Sequence, residues 1–224
     1  AAILRDVDAP RRASHAAEVA ASILDITAKT HVKQPSACGR GCHYCCQTLI
    51  TATVPEILRL AQAAKARPDL VARIQAAAVR ARALSPTAPN SARQRCPVLD
   101  AELCSLYEAR PLVCRSLLSH SRDACIRIFV RDAAEAVPFV RPSMEIRSAV
   151  ILMLQASMRL ADLPYQQYEL IQGLDAVLSR DDAEARWLAG EAIFAGVETD
   201  PDHTRLSQVS EMVERLAASL APTL

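Results

Sequence analysis

Residues 38–46 read CGRGCHYCC and place Cys38, Cys42, Cys45 and Cys46 close together in the chain. Two glycines separate the first two cysteines, so the backbone can turn tightly there and direct several sulfur atoms inward. These spacings bring thiolates around one centre, as they do in zinc and iron–sulfur loops. The stretch therefore predicts a metal-binding motif. Because Cys45 and Cys46 are adjacent, their side chains diverge if the backbone is extended. The two can then serve different centres, or one can ligate while the other does not.

Four more cysteines follow in a second group. Residues 96–100 read CPVLD, and residues 104–115 read CSLYEARPLVCR. A turn after Cys96 and a break at Pro111 can fold these sulfur atoms together, so that they complete the coordination begun by the first motif. Cys125 lies apart from both motifs. The predicted metal ligands are all eight cysteines: Cys38, Cys42, Cys45, Cys46, Cys96, Cys104, Cys114 and Cys125.

The length and cysteine usage indicate the compartment. Eight cysteines in a secreted chain would predict four disulfides. A chain of 224 residues can build a core without such staples, and this one shows no basic-then-apolar leader. We therefore expect reduced thiols in the cytoplasm, where clustered cysteines are more often metal ligands or redox thiols.

Charge and hydropathy exclude two classes of partner. The net charge of +1 argues against a dedicated nucleic-acid binder. No apolar run approaches the roughly 18 residues that a membrane span needs. Residues 38–125 carry twelve Lys or Arg and six Asp or Glu. Arginines such as Arg110 and Arg115 can therefore balance the charge of bound thiolates. His43 lies inside the first motif, and with thiols on both sides we expect it not to be a ligand.

The apolar periodicity is helical almost throughout. Low glycine and aromatic content argues against an all-β or dinucleotide-binding fold. We predict a mostly α-helical single domain over residues 1–224. In it, residues 35–125 form a cysteine-rich metal-binding region and residues 126–224 form a helical scaffold. The predicted helices cover about 14–30, 53–65, 68–84, 144–160, 164–179, 181–195 and 203–220, with a short helix after Cys104 that restarts at Pro111. Thr53 and Glu56 form a capping box, Asp202 is an N-cap, and residues 48–54 and 136–140 can be extended.

The two cysteine motifs together resemble the bacterial YkgJ-like family, whose cysteine cluster is described as a zinc- or iron-chelating domain. The flagellin lysine N-methylases share its cysteine pattern. The matching segments are 38–46, 96–100 and 104–115, and the resemblance covers about residues 35–125. It implies a metal-binding cysteine cluster and, by itself, no particular reaction.

A second resemblance concerns Cys38, Cys42, Tyr44 and Cys45, whose spacing is similar to the signature of radical S-adenosylmethionine enzymes. In those enzymes three cysteines hold a [4Fe–4S] cluster, and the fourth iron binds the cofactor. The present chain lacks the alternating strands and helices of their barrel, so only the cluster chemistry is carried over.

Several functions are compatible with this pattern. We favour an iron–sulfur or iron centre over zinc, with redox or protein-modifying, methylation-like activity on a protein substrate or partner. Eight thiols exceed the four that one structural zinc needs. A structural zinc module that mediates protein interaction, or a metal chaperone or store, stays open as an alternative. S-adenosylmethionine is a further possible cofactor. Common hydrolase, nucleotide-binding and metalloprotease motifs are absent, so the sequence does not indicate whether the protein is an enzyme. It does not indicate the oligomeric state either.

Overall fold

The computed structural model describes residues 1–85, 87–199 and 203–221. Within them the fold is mostly α-helical, as predicted, and no strand exceeds three residues. The α-helices are α1 (Ala2–Arg5), α2 (Arg12–His31), α3 (Val54–Ala64), α4 (Pro68–Arg82), α5 (Leu112–Ser116), α6 (Arg122–Cys125), α7 (Arg141–Leu160), α8 (Leu170–Leu178), α9 (Ala183–Leu188) and α10 (His203–Leu220). The strands are β1 (Thr51–Thr53), β2 (Leu99–Asp100), β3 (Leu103–Cys104) and β4 (Gln167–Glu169).

Helices α3 and α4 begin where the sequence predicts a start, and α2 and α7 begin two to three residues earlier than predicted. Helix α3 follows the capping box, in which the Thr53 and Glu56 side chains satisfy each other's backbone amides. Pro55 in α3 and Pro68 in α4 stand in the first turn, where a missing N–H costs nothing. The break at Arg110 also falls as predicted. A 3₁₀ turn ends at Ala109, and α5 begins after Pro111.

Two predicted helices are shorter than expected. The segment 164–179 begins as strand β4, because residues 167–169 pair antiparallel with β1 and only then does α8 start. The segment 181–195 is helical only over Ala183–Leu188, and Gly190 follows with a φ of +87° in the left-handed region that ends helices. The predicted N-cap Asp202 lies outside the described residues.

One large hydrophobic cluster holds the helices together. Helix α2 packs against α3 and α7, α8 packs against α3 and α4, and α10 lies on α7. Ile57, Leu70, Ile74, Leu174 and Trp187 are almost fully buried in this cluster. Gly173 brings α8 close to α3, because a Cβ atom there would lie 2.8 Å from Ile57 Cδ1. No helix of the described residues is both long and apolar enough to cross a membrane.

A second, smaller cluster lies under the cysteine-rich region. It contains Cys125, Ile128 and Phe129, with Tyr44 and Cys45 packed against it. The large cluster receives Cys96 and Cys104 from the other side. The cysteines therefore lie between two apolar clusters and not in a loop that projects into solvent.

The buried carboxylate of Glu56 joins the helical core to the cysteine-rich region. Its Oε2 accepts hydrogen bonds from the Thr53 amide at 2.9 Å and the Thr53 hydroxyl at 2.6 Å. Its Oε1 accepts one from the Leu112 amide at 2.7 Å, at the first residue of α5. Burial raises the pKa of this carboxyl, while these bonds and the charge of Arg147 oppose the shift. Glu56 thus fixes the start of α5 against the start of α3.

We predict that Glu56→Ala lowers the free energy of unfolding by about 3 kcal/mol, because buried Thr53 and Leu112 groups lose their acceptor. Urea denaturation measures the change. Glu145→Ala is the matched control: Glu145 is an exposed glutamate on α7, and its loss should cost less than about 0.5 kcal/mol. Equal losses in the two variants would show that the Glu56 bonds contribute nothing beyond a surface carboxylate.

Candidate metal centre

The first motif forms a tight loop followed by a 3₁₀ helix. Gly41 has a φ of +84°, so the predicted need for glycine in this turn is confirmed there. The Cys42 amide donates to the Gly39 carbonyl at 3.0 Å and closes the turn. Tyr44–Gln47 then form the 3₁₀ helix that carries Cys45 and Cys46. This backbone is helical and not extended, and the thiols of Cys45 and Cys46 hydrogen-bond to each other.

The segment around Ser119 closes over the first motif. The Ser119 amide donates to the Cys38 sulfur at 3.3 Å, and the Ser119 carbonyl accepts from the Ala37 amide at 2.8 Å. The Ser119 side chain also hydrogen-bonds to the thiol of Cys125. One residue therefore ties the first cysteine of the chain to the last. No sequence signal identified Ser119, since a lone serine belongs to no motif.

The second motif folds as a short hairpin that rests on the first. Strands β2 and β3 pair so that Leu99 lies opposite Cys104. Ala101 and Glu102, at the turn, have φ values of +42° and +70°, as a two-residue hairpin turn of this hand requires. The Cys96 amide donates to the Cys46 carbonyl at 2.7 Å. The hairpin is thereby held directly against the loop of the first motif.

Backbone amides of other residues point at four of the eight sulfur atoms. Three of these bonds come from the residue two positions further along the chain, and the fourth is the long-range bond from Ser119. The pairs are Tyr44 to Cys42, Val98 to Cys96, Leu106 to Cys104 and Ser119 to Cys38. Amide N–H groups aimed at sulfur favour the thiolate over the thiol, and this is the form that binds metal.

Burial opposes these amides on most of the thiols, because it favours the neutral thiol and raises the pKa. None of the eight cysteines is exposed: Cys125 is buried and the others are half-buried. Burial raises the pKa of Cys96 to about 11 and that of Cys114 well above its usual range. The hydrogen bond from Cys46, followed by burial, raises the pKa of Cys45. The pKa of Cys42 is raised by burial and then by its neighbours Cys38 and Cys45.

These mutual effects show which thiols are neighbours. The charges of Cys96, Cys45 and Cys104 all raise the pKa of Cys114, and those of Cys38 and Cys45 raise the pKa of Cys125. The structure therefore brings the two motifs and Cys125 into one continuous cluster, in which Cys45 lies near members of both groups.

The cation Arg110 lies beside this cluster. Its guanidinium lies over the Tyr107 ring at 3.5 Å from the centroid, and its Nη1 donates to the Cys114 carbonyl at 3.4 Å. Its charge lowers the pKa values of Cys45, Cys104 and Cys114 and so partly offsets their burial. Arg115, the other predicted counter-charge, pairs instead with Asp25 on α2 at 2.6 Å.

His43 is held against the hairpin turn. Its side chain is 4% exposed, and its Nδ1 lies 3.0 Å from the Gly41 carbonyl oxygen. Its Nε2 finds no hydrogen-bond partner among the described residues and lies 3.8 Å from Glu102 Oε1. The ring also packs on Tyr44, with 4.7 Å between centroids. These contacts hold the His43 ring against the loop, and the expectation that His43 is not a ligand stays a prediction.

The donor set suits zinc or iron. Thiolates are soft ligands that both metals accept in clusters of this kind. Among the described residues, no three Cys, His, Asp or Glu side chains are already positioned to hold a metal ion. A bound metal would therefore draw the thiols closer together, and the eight-cysteine ligand set stays a prediction.

Comparison with known proteins agrees with the chemistry of the donor set. Residues 37–132 match the CxxCxxCC family model, described as "Putative zinc- or iron-chelating domain". The match contains every cysteine of the chain and supports binding of zinc or iron. Comparisons with curated proteins and with solved structures gave no match. The resemblance that the two motifs predicted is thus confirmed: residues 37–132 of this chain match the model of the YkgJ-like, zinc- or iron-chelating CxxCxxCC domain.

Proposed function

We propose that the protein holds a resident iron centre in its eight-cysteine cluster. The observation that supports it most directly is the convergence of half-buried thiols with amide N–H donors on four of them. Such N–H···S bonds stabilise thiolate ligands and tune the metal they hold. The spacing of Cys38, Cys42 and Cys45, typical of cluster-binding loops, favours iron over zinc.

Burial of the thiols favours a resident metal over a transported one. A chaperone or store must pass its metal to another protein, so its ligands should be exposed. Here Cys125 is buried, and Cys96 and Cys104 pack against the main hydrophobic core. A metal held among these residues would exchange slowly, which suits a permanent centre.

Redox activity is part of this proposal. Iron bound by thiolates can change its charge by one electron, at a potential set by hydrogen bonds to sulfur and by nearby charges. This chain supplies both influences, through the amides that face the sulfurs and through Arg110. Free thiols and thiolate-bound iron also suit a reducing compartment, so we place the protein in the cytoplasm.

Methylation is not part of the proposal. The cavity that Cys46 and Cys96 line measures about 60 Å³. Sites for drug-sized molecules begin at roughly 300 Å³, and S-adenosylmethionine is of that class. The cofactor would need a substantial opening of this region to reach those thiols.

A structural zinc module is the second candidate. Its support is the packing of Cys96 and Cys104 against the main core, with Cys45 and Cys125 in the smaller cluster. Zinc held among them would join the two hydrophobic clusters and stabilise the loops between them.

We predict that protein produced and purified without oxygen contains iron with acid-labile sulfide and absorbs broadly near 400 nm (roughly the thiolate-to-iron charge-transfer region). Elemental analysis and a visible spectrum test this directly. A colourless protein that contains zinc would replace the iron proposal with the structural zinc module. A protein that binds neither metal, even after reconstitution, would contradict both.

We predict that Cys42→Ser loses metal and is less stable than the wild type, because metal-binding energy is folding energy in such sites. Metal content per chain and the melting temperature measure the two effects. Ser22→Ala is a control on α2, since Ser22 is exposed and its hydroxyl donates to the Glu18 carbonyl of its own helix. Normal metal content in Cys42→Ser would remove this residue from the ligand set.

We predict that Arg110→Gln weakens metal affinity about tenfold, because the thiols near it would hold their protons more tightly against the metal. Competition with a chelator measures the affinity. Arg186→Gln is the matched control, since this arginine pairs with Glu191 at 2.8 Å on the far helix α9. If both variants bind metal as the wild type does, Arg110 does not act on the centre.

A further inference from the structure

We propose that the eight cysteines form two neighbouring four-thiol sites, divided between Cys45 and Cys46. This inference rests on the proposed metal-binding function and specifies how the ligands are shared. The first site consists of Cys38, Cys42, Cys45 and Cys125. The second site consists of Cys46, Cys96, Cys104 and Cys114.

The first site is assembled by Ser119 and the smaller hydrophobic cluster. The Ser119 amide holds the Cys38 sulfur at 3.3 Å, and its hydroxyl bonds to the Cys125 thiol. Cys45 and Cys125 pack in the same small cluster, beside Phe129. Cys42 joins them through a hydrogen bond between its thiol and that of Cys38. All four thiols are therefore connected by contacts that involve no member of the second site.

The second site is assembled by the β2–β3 hairpin and helix α5. The Cys96 amide bonds to the Cys46 carbonyl at 2.7 Å, and these two cysteines line one cavity. Cys96 and Cys104 flank strand β2 and both pack against the main core. Cys114 on α5 is the neighbour of Cys96 and Cys104, whose charges act on its thiol.

Each site also has an arginine held over a tyrosine ring. Arg110 lies over Tyr107 and contacts the Cys114 carbonyl, on the side of the second site. Arg122 lies 5.2 Å from the Tyr44 ring centroid and donates to the Tyr44 hydroxyl at 2.9 Å. Tyr44 stands between Cys42 and Cys45 in the first motif, so these contacts place Arg122 beside the first site. An arginine would thus stand beside each four-thiolate site, and the charge of Arg110 also reaches Cys45 at the boundary between them.

Cys45 and Cys46 form the boundary between the sites. The two thiols hydrogen-bond to each other, and Cys45 also acts on Cys114. Cys45 is therefore the one residue that could be shared, as a bridging thiolate in a single polynuclear centre. The two arrangements differ in a measurable way: separate sites load and empty independently, whereas a bridged centre is lost as a whole.

The test uses zinc and cobalt as probes on the full chain, reduced and loaded without oxygen. Native mass spectrometry counts bound zinc, and the visible spectrum of the cobalt form reports tetrahedral thiolate coordination. We expect two zinc ions in the wild type, one in Cys125→Ser, one in Cys104→Ser and none in the double variant. Retention of one ion in each single variant requires two independent sites. Loss of both ions in either folded single variant would overturn the division.

Cadmium NMR of the wild type keeps the test decisive if a variant fails to fold. Two resonances in the range of four-thiolate sites, without coupling between the metals, would support separate sites. A spin coupling between two cadmium ions would demonstrate a bridging sulfur and overturn the proposal. If the wild type binds no zinc, cobalt, cadmium or iron, the proposed function itself fails. Metal binding by a single bridged centre leaves that function standing and refutes only the division.

Discussion

The cysteine cluster depends on one buried carboxylate, that of Glu56. A buried carboxylate is costly unless hydrogen bonds satisfy its oxygens, and here Thr53 and Leu112 supply them. Strand β1 ends at Thr53, only a few residues after the first motif, and α5 begins at Leu112, just before Cys114. Because one side chain bonds to both points, the start of α5 cannot move away from the end of β1 without leaving Glu56 unsatisfied. The helical core thus positions the segment that carries Cys114.

Bringing the thiols together costs electrostatic free energy, and the surrounding residues reduce that cost. Sulfur atoms that lie together repel one another once ionised, and burial adds to that cost. The chain offers two compensations: backbone amides directed at sulfur and the charge of Arg110. Neither is sufficient in the metal-free form, since the pKa values of Cys96 and Cys114 stay raised. A bound metal cation would supply the remaining positive charge, so the electrostatics of the cluster favour binding of a metal ion.

The sequence predicted the features that depend on local patterns. Helical periodicity and the capping box of Thr53 and Glu56 located α3, and the cysteine motifs identified the family, because each of these signals lies within a few residues. The sequence could not predict what distant segments do to one another. Strand β4 forms because β1 lies beside it, although its own residues continue a helical pattern. The contact between Ser119 and Cys38 also joins segments that are far apart in the chain, and Ser119 belongs to no sequence motif. Ala101 and Glu102 occupy left-handed conformations usually left to glycine or asparagine, so the hairpin was also missed.

Proton release connects metal binding to the stability of this region. A thiol with a raised pKa is protonated at neutral pH, so each cysteine that becomes a ligand must lose a proton. Metal affinity therefore rises with pH, and the most buried thiols, whose pKa values are raised most, contribute most to that rise.

In the metal-free protein the same raised pKa values make the folded state less stable as the pH rises. Cys96 stays protonated up to a pH of about 11, whereas in the unfolded chain it ionises near the usual pKa of 9.0. Between these two values the unfolded state loses protons that the folded state retains, and folding weakens as the pH rises. A bound metal removes that penalty because the ligating thiolate stays ionised in the folded state. Burial of the thiols therefore makes the region more dependent on its metal, which is the behaviour expected of a permanent centre.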